Sequence, residues 1–128
     1  VRFAGARPAA EIPRLLAALD VGVVAAAVPY ASPLKLVEYM AAGLAIAAPD
    51  QSNISSLVSD RKDGLLFRPG SVDGLARALA ELAASPELRR RLGNDARATV
   101  ERRQLTWRAA ARQMVDRVRN PGARAPSG

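Results

Sequence analysis

Residues 29–43 read Pro-Tyr-Ala-Ser-Pro-Leu-Lys-Leu-Val-Glu-Tyr-Met-Ala-Ala-Gly, and this stretch is the most informative part of the sequence. Within it, Ser32 suits a helix N-cap, Pro33 suits the first helical position, and Gly43 suits the position just past a helix end. The segment therefore predicts a helix that is marked at both ends. An apolar run at residues 21–25 precedes it and predicts a strand, so the helix should begin at the carboxyl edge of a sheet, where open α/β folds bind ligands.

Short apolar runs alternate with helical patterns on both sides of this helix, which favours βαβ units and a parallel sheet. The predicted strands are apolar throughout, as expected where helices cover both faces of a sheet. They lie at residues 1–4, 21–25, 45–48 and 65–67, and a further helix is predicted over residues 9–19. The fold class is therefore α/β, with a parallel sheet flanked by helices.

The last third of the chain has a helical pattern. Ser71 is a predicted N-cap, Ser85 with the following proline and glutamate begins the next helix, and Thr106 caps a last helix. The apolar stripe of that last helix consists of Trp107, Ala111, Met114, Val115 and Val118. We expect one domain over residues 1–119, helical at its C-terminal end, and a disordered tail over residues 120–128, which has nothing to bury.

The composition excludes several kinds of chemistry. The chain of 128 residues has no histidine and no cysteine, which excludes histidine catalysis, disulfides and Cys/His metal sites. About half of the residues are apolar (49%), which predicts a globular domain. No run is long and apolar enough for a membrane span, and no signal-peptide layout is present, so we expect a cytoplasmic protein. The start at Val1, without methionine, suggests a piece of a longer chain.

The formal net charge of +7 is unevenly placed along the chain. Residues 1–85 carry 8 basic and 8 acidic side chains, whereas residues 86–128 carry 11 arginines and 4 acids. Three interpretations stay open at this point. In the first, the preference for arginine reflects the composition of the genome. In the second, the arginines form a basic face for an anionic partner such as phospholipid or nucleic acid, and in the third they form a face that docks on a missing part of the protein.

Two charged residues stand out in the apolar helix of residues 33–42. The free amides of its first turn and its dipole favour a phosphate. Lys35 adds a cation for phosphates, and Glu38, whose side chain leans back toward the N-terminus, suits a bidentate hydrogen bond to the hydroxyls of a ribose. A plainer alternative is that Lys35 and Glu38 form a surface ion pair three residues apart and that Ser32 only caps the helix.

Five segments together resemble the retaining glycosyltransferases of the GT-B type (glycosyl transferases group 1, or family 4), which include sucrose synthases and glycogen synthases. The segments are residues 1–5, 18–23, 32–43, 63–67 and 106–107, in the family's order. The run at residues 32–43 is the specific one. The resemblance implies a Rossmann-like donor-binding domain, the partial C-terminal half of a GT-B fold, with a helical C-terminal segment.

The resemblance also implies roles for single residues. Glu38 matches the second glutamate of the family's Glu-x7-Glu motif, which binds the donor ribose. Tyr30 stands where the first glutamate would be, and it either lines the pocket of the transferred sugar or packs as a loop aromatic. Ser32 and the amides of Leu34 and Lys35 would hold the donor diphosphate. No catalytic residue is assigned.

The implied function is the donor-binding part of a hexosyltransferase that uses a UDP- or GDP-sugar, without a metal, on a glycan or lipid-linked acceptor in polysaccharide biosynthesis. An N-terminal acceptor domain would precede Val1, and the chain alone would be inactive. The basic C-terminal helices would suit that domain or an anionic membrane at the inner face.

Two other classes of protein remain as alternatives. One is a basic nucleic-acid-binding module, and the other is a Rossmann-like interaction domain without catalysis. The aromatic content of only 4% argues against nucleic acid as a partner, because RNA-binding surfaces stack bases on aromatic rings.

Overall fold

A computed structural model describes residues 3–27, 33–120 and 122, with the side chains of residues 107–110, 113 and 117 outside that description. The elements in chain order are a 3-10 turn Ala9–Glu11, α1 Ile12–Ala17, β1 Val21–Val23, α2 Leu34–Ala41, β2 Ala45–Pro49, α3 Ser52–Ser55, β3 Leu65–Phe67, α4 Val72–Ala84, α5 Pro86–Arg103 and α6 Trp107–Arg119. The strands are parallel and lie in the order β1-β2-β3. The predicted α/β class is confirmed.

Strand β2 lies at the centre of the sheet, and all five of its residues are buried. Because successive side chains of a strand point to opposite faces, β2 contributes to two cores. Ile46 and Ala48 pack with residues of α2, α3 and α5. Ala45 and Ala47 pack with residues of α4 and with Leu92 of α5. Helices thus cover both faces, which explains why the strand sequences are apolar without alternation.

Helix α5 crosses the edge of the sheet at which β2 and β3 begin. Its Gly93 lies against the carbonyl of Gly43, the residue that follows α2 with a φ of +74°. Further along α5, the hydroxyl of Thr99 donates a hydrogen bond of 2.8 Å to the buried carboxylate of Asp63, just before β3. The opposite edge, where the strands end, is therefore the one left for ligands.

Several sequence predictions are confirmed in detail. The strands predicted at residues 45–48 and 65–67 are β2 and β3. The hydroxyl of Ser71 accepts a hydrogen bond from the amide of Gly74, and that of Ser85 accepts one from the amide of Leu88, so both serines cap their helices. Residues 121 and 123–128 of the predicted tail lie outside the described residues, so its disorder stays a prediction.

Other predictions need correction. The strand predicted at residues 1–4 is wrong for its described part, because Phe3 and Ala4 are exposed and not in a strand. An apolar run alone does not form a strand without a neighbour to pair with, and β1 pairs only with β2 among the described strands.

The elements of the first half of the chain are also shorter than the sequence pattern predicts. The segment predicted as a helix over residues 9–19 is a 3-10 turn followed by the short α1, in which Pro13 lacks an amide hydrogen. Helix α2 begins at Leu34, with Pro33 as the N-cap rather than the first helical residue. The strand predicted at residues 21–25 ends at Val23.

We predict that Gly93→Ala destabilises the fold. A methyl group at this position would overlap the Gly43 carbonyl oxygen, which is backbone and cannot move aside cheaply. We expect the free energy of unfolding to fall by about 2 kcal/mol, although alanine alone favours a helix by about 1 kcal/mol. The matched control is Asn94→Ala, on the exposed side of the same turn, which should be neutral or slightly stabilising. Equal stability of both variants in urea denaturation would contradict the close contact.

Candidate functional site

The start of α2 lies at the carboxyl edge of the sheet, as its place after β1 predicts. The carbonyl of Pro33 accepts a hydrogen bond of 3.2 Å from the amide of Val37. The amides of Leu34 and Lys35 come before Val37, in the first turn of the helix. Amides in a first turn have no partner within the helix, and they lie at the positive end of the helix dipole. Tyr30 and Ser32 lie outside the described residues, so their roles stay predictions.

The two faces of α2 differ sharply. Leu36 and Met40 are 1% and 0% exposed and anchor the helix in the core. Lys35 and Glu38 are both exposed on the other side. Among the described residues no ion pair joins these two side chains, so the surface ion pair considered from the sequence is not formed. Both charged side chains are therefore accessible to a ligand.

A groove of about 460 Å³ separates α2 from the segment that leads into and through α1. Its lining is apolar apart from one carboxylate and consists of Ala9, Ile12, Pro13, Leu16, Ala17, Glu38, Ala41 and Ala42. An apolar wall with a single strong acceptor suits a ligand that has a flat apolar face and adjacent hydroxyl donors. The sequence does not indicate this groove, because the apolar residues of α1 have the pattern of an ordinary core-facing helix.

Side-chain and backbone hydrogen bonds join the loops at this edge. The amide group of Gln51 donates to the carbonyl of Ala27 over 3.1 Å, which ties the loop after β1 to the turn after β2. The amide of Asp50 donates to the carbonyl of Phe67 over 2.8 Å, which ties the same turn to the end of β3. The edge is thus held in place before any ligand binds. The described residues contain no cluster of three or more carboxylates that could hold a metal ion.

The arginines of α5 lie elsewhere and are mostly engaged within the chain. Arg89 donates to the carbonyl of Leu82, Arg91 donates to that of Arg61, and Arg103 donates to that of Ser56. These contacts hold α5 to the remainder of the domain. These three arginines therefore pack α5 against the domain and are not part of the site at the start of α2.

The loop before β3 carries an exposed ion pair of its own. Arg61 and Glu81 make two hydrogen bonds of 2.8 and 3.2 Å. Hydrogen bonding to Arg61 lowers the pKa of the Glu81 carboxyl, and the same contact raises the pKa of Arg61. Because this loop precedes β3, it belongs to the same edge of the sheet as α5.

The sequence and the fold of the chain are similar to those of known glycosyl transferases. The family model of glycosyl transferases group 1 matches residues 1–99. Sucrose-phosphate synthase from Thermosynechococcus elongatus is 30% identical to the chain, with a TM-score of 0.74 over 83% of it. The C-terminal domain of a glycosyl transferase group 1 family protein, LpcC from Francisella tularensis, is 25% identical, with a TM-score of 0.66 over 79% of the chain.

A third structure shares the fold. Anabaena Alr3699/HepE, solved in complex with UDP-glucose, is 22% identical, with a TM-score of 0.64 over 82% of the chain. The chain spans 26%, 50% and 30% of the sucrose-phosphate synthase, LpcC and HepE chains, respectively. No curated protein sequence matches it.

Proposed function

The chain belongs to the glycosyl transferases group 1 family, and from this membership we propose that it is the donor-binding part of a retaining hexosyltransferase. The donor is a nucleoside diphosphate sugar, and the acceptor is a glycan or a lipid-linked sugar. The observation that carries the proposal is the position of Glu38, which lines an apolar groove on the same helix whose first-turn amides have no partner within the helix.

Glu38 binds the nucleoside part of the donor. Its carboxylate has two oxygens, and the two vicinal hydroxyls of a ribose supply two donors, so a bidentate hydrogen bond fixes the sugar. The apolar lining of the groove, from Ile12 and Leu16 on one side to Ala41 on the other, lies next to that carboxylate. An apolar wall there receives a nonpolar face of the nucleoside without requiring charged partners.

The first turn of α2 binds the diphosphate. The amides of Leu34 and Lys35 and the hydroxyl of Ser32 donate hydrogen bonds, and the ammonium group of Lys35 adds a full positive charge. As the bond from the anomeric carbon to the nucleoside diphosphate breaks, negative charge grows on the departing oxygen. Fixed amides and a cation stabilise that charge, and losing one such donor typically costs about 10²–10³ in rate. We also propose that Tyr30, which lies outside the described residues, lines the pocket of the transferred sugar.

We further propose that donor binding requires no metal ion. Lys35 and the helix terminus already supply positive charge at the phosphates, and the described residues offer no acidic cluster for a cation. The complex of HepE with UDP-glucose supports a nucleoside diphosphate sugar as ligand of this fold, and UDP and GDP are the donors to test.

Turnover requires more than this chain. The chain spans half or less of the solved chains it is similar to. We propose that a further domain holds the acceptor and that the chain alone is inactive. We place the reaction in the cytoplasm, in polysaccharide biosynthesis. A nucleic-acid-binding function is not favoured, because the arginines of α5 are mostly used for internal contacts.

We predict that Glu38→Gln lowers the affinity of the chain for UDP or GDP about 30-fold, because a charge-assisted hydrogen bond to the ribose is weakened. Isothermal titration calorimetry gives the dissociation constant directly. The matched control is Glu101→Gln, which makes the same change on the exposed surface of α5. An affinity of Glu38→Gln within twofold of the unchanged chain would rule out the ribose contact.

We predict that Lys35→Ala weakens the binding of UDP about tenfold and leaves the binding of uridine unchanged, because only the diphosphate meets the ammonium group. Lys62 is the only other lysine and lies at the opposite edge of the sheet, so Lys62→Ala should change neither affinity. Equal losses for UDP and uridine in Lys35→Ala would show that Lys35 acts on the nucleoside or on the fold instead.

A further inference from the structure

The side chain of Gln51 joins two neighbouring strands at the edge of the sheet where the strands end. Strand β2 ends at Pro49, so Gln51 lies in the turn at that edge, beside the end of β1. Its side-chain amide nitrogen donates a hydrogen bond of 3.1 Å to the carbonyl of Ala27, four residues beyond β1. Because a carbonyl oxygen only accepts, the nitrogen end of the side-chain amide must face Ala27.

The backbone of Gln51 is held in place independently of this bond. Its carbonyl accepts hydrogen bonds from the amides of Ile54 and Ser55, over 2.9 and 2.7 Å, and from the Ser55 hydroxyl over 2.9 Å. The side chain is half-buried, and its amide nitrogen also lies 3.5 Å from the side-chain oxygen of Asn53. Gln51 is therefore a fixed point from which a second segment can be held.

That second segment is the start of the loop between β1 and α2. The amide of Val24 donates to the carbonyl of Ala47 over 2.9 Å and continues the pairing of the two strands. Residues 25–27 make no hydrogen bond with another backbone group in the described part of the chain. Ala27 packs against the core that contains residues of α2, α3 and α5, and its carbonyl accepts the bond from Gln51. Ala27 is thus an anchor of the loop beyond the strand.

We propose that Gln51 is a positioning residue for the donor diphosphate, an inference that rests on the proposed function. Without its bond, nine residues (25–33) separate the pairing at Val24 from the first residue of α2, and with it six residues (28–33) separate Ala27 from that helix. A shorter stretch between fixed points has fewer conformations to lose when the diphosphate binds at the first turn of α2. Gln51 acts through Ala27 and not by contact with the donor.

The variant Gln51→Met tests this role in the 128-residue chain, because methionine has a similar length and no charge but cannot donate to Ala27. We expect the affinity for UDP to fall about fivefold and the affinity for uridine to stay within twofold, because only the diphosphate binds at the first turn of α2. The matched control is Gln104→Met, at an exposed site after α5, which should change neither affinity. Calorimetric or NMR titration gives both constants.

Two further measurements distinguish positioning from contact and from stability. In the chain without ligand, NMR order parameters of residues 25–27 should fall from about 0.85 to below about 0.6 in Gln51→Met, and those of β2 should not change. In the background of Lys35→Ala, Gln51→Met should weaken UDP binding only about twofold, because both residues act on the diphosphate at one turn. The backbone bonds of Gln51 persist in the variant, so circular dichroism should be unaltered.

The outcomes separate this inference from the proposed function. Absence of UDP binding by the unchanged chain would contradict both. UDP binding that depends on Lys35 but stays within twofold in Gln51→Met would overturn the positioning role alone. Unaltered order parameters, or equal losses for UDP and uridine, would also overturn it. A full fivefold loss in the Lys35→Ala background would show that Gln51 acts independently of the first turn of α2, which would overturn it as well.

Discussion

The contact between Gly93 of α5 and the carbonyl of Gly43 is the constraint on which the arrangement of this domain depends. It requires a residue without a side chain on the helix and a residue with positive φ at the end of α2. With both in place, α5 lies close beneath the start of β2, and its Leu92 and Val100 each enter one of the two cores. The same crossing brings Thr99 to the buried carboxylate of Asp63. One edge of the sheet is thereby closed.

The two edges of the sheet consequently have different roles. At the edge where the strands begin, arginines of α5 bond to carbonyl groups and hold the packing in place. At the edge where the strands end, the first-turn amides of α2 have no partner within the helix, and Glu38 lines an apolar groove. The net charge of the chain, +7, by itself suggests that arginines bind phosphate. The structure instead separates the arginines of α5 from the proposed donor site, which uses helix amides, one lysine and one glutamate.

Local signals in the sequence predicted local structure well. The serine caps of α4 and α5, the glycine after α2 and the buried strands β2 and β3 each depend on a few neighbouring residues. Predictions failed where a distant partner decides the outcome. Phe3 is apolar but has no strand to pair with in the described part of the chain. The groove exists only because α1 and α2 approach each other without filling the space between them. The bond from Gln51 to the carbonyl of Ala27 spans 24 residues and has no sequence signature.

Backbone amide shifts measured by NMR during titration with UDP and with GDP test the proposed donor site most directly. We expect the largest shifts at Leu34 and Lys35, smaller ones along the groove from Ile12 to Ala41, and none at Gly93 on the far side of the sheet. The absence of any shift at millimolar nucleotide, or shifts centred on α5, would contradict a donor site at the start of α2.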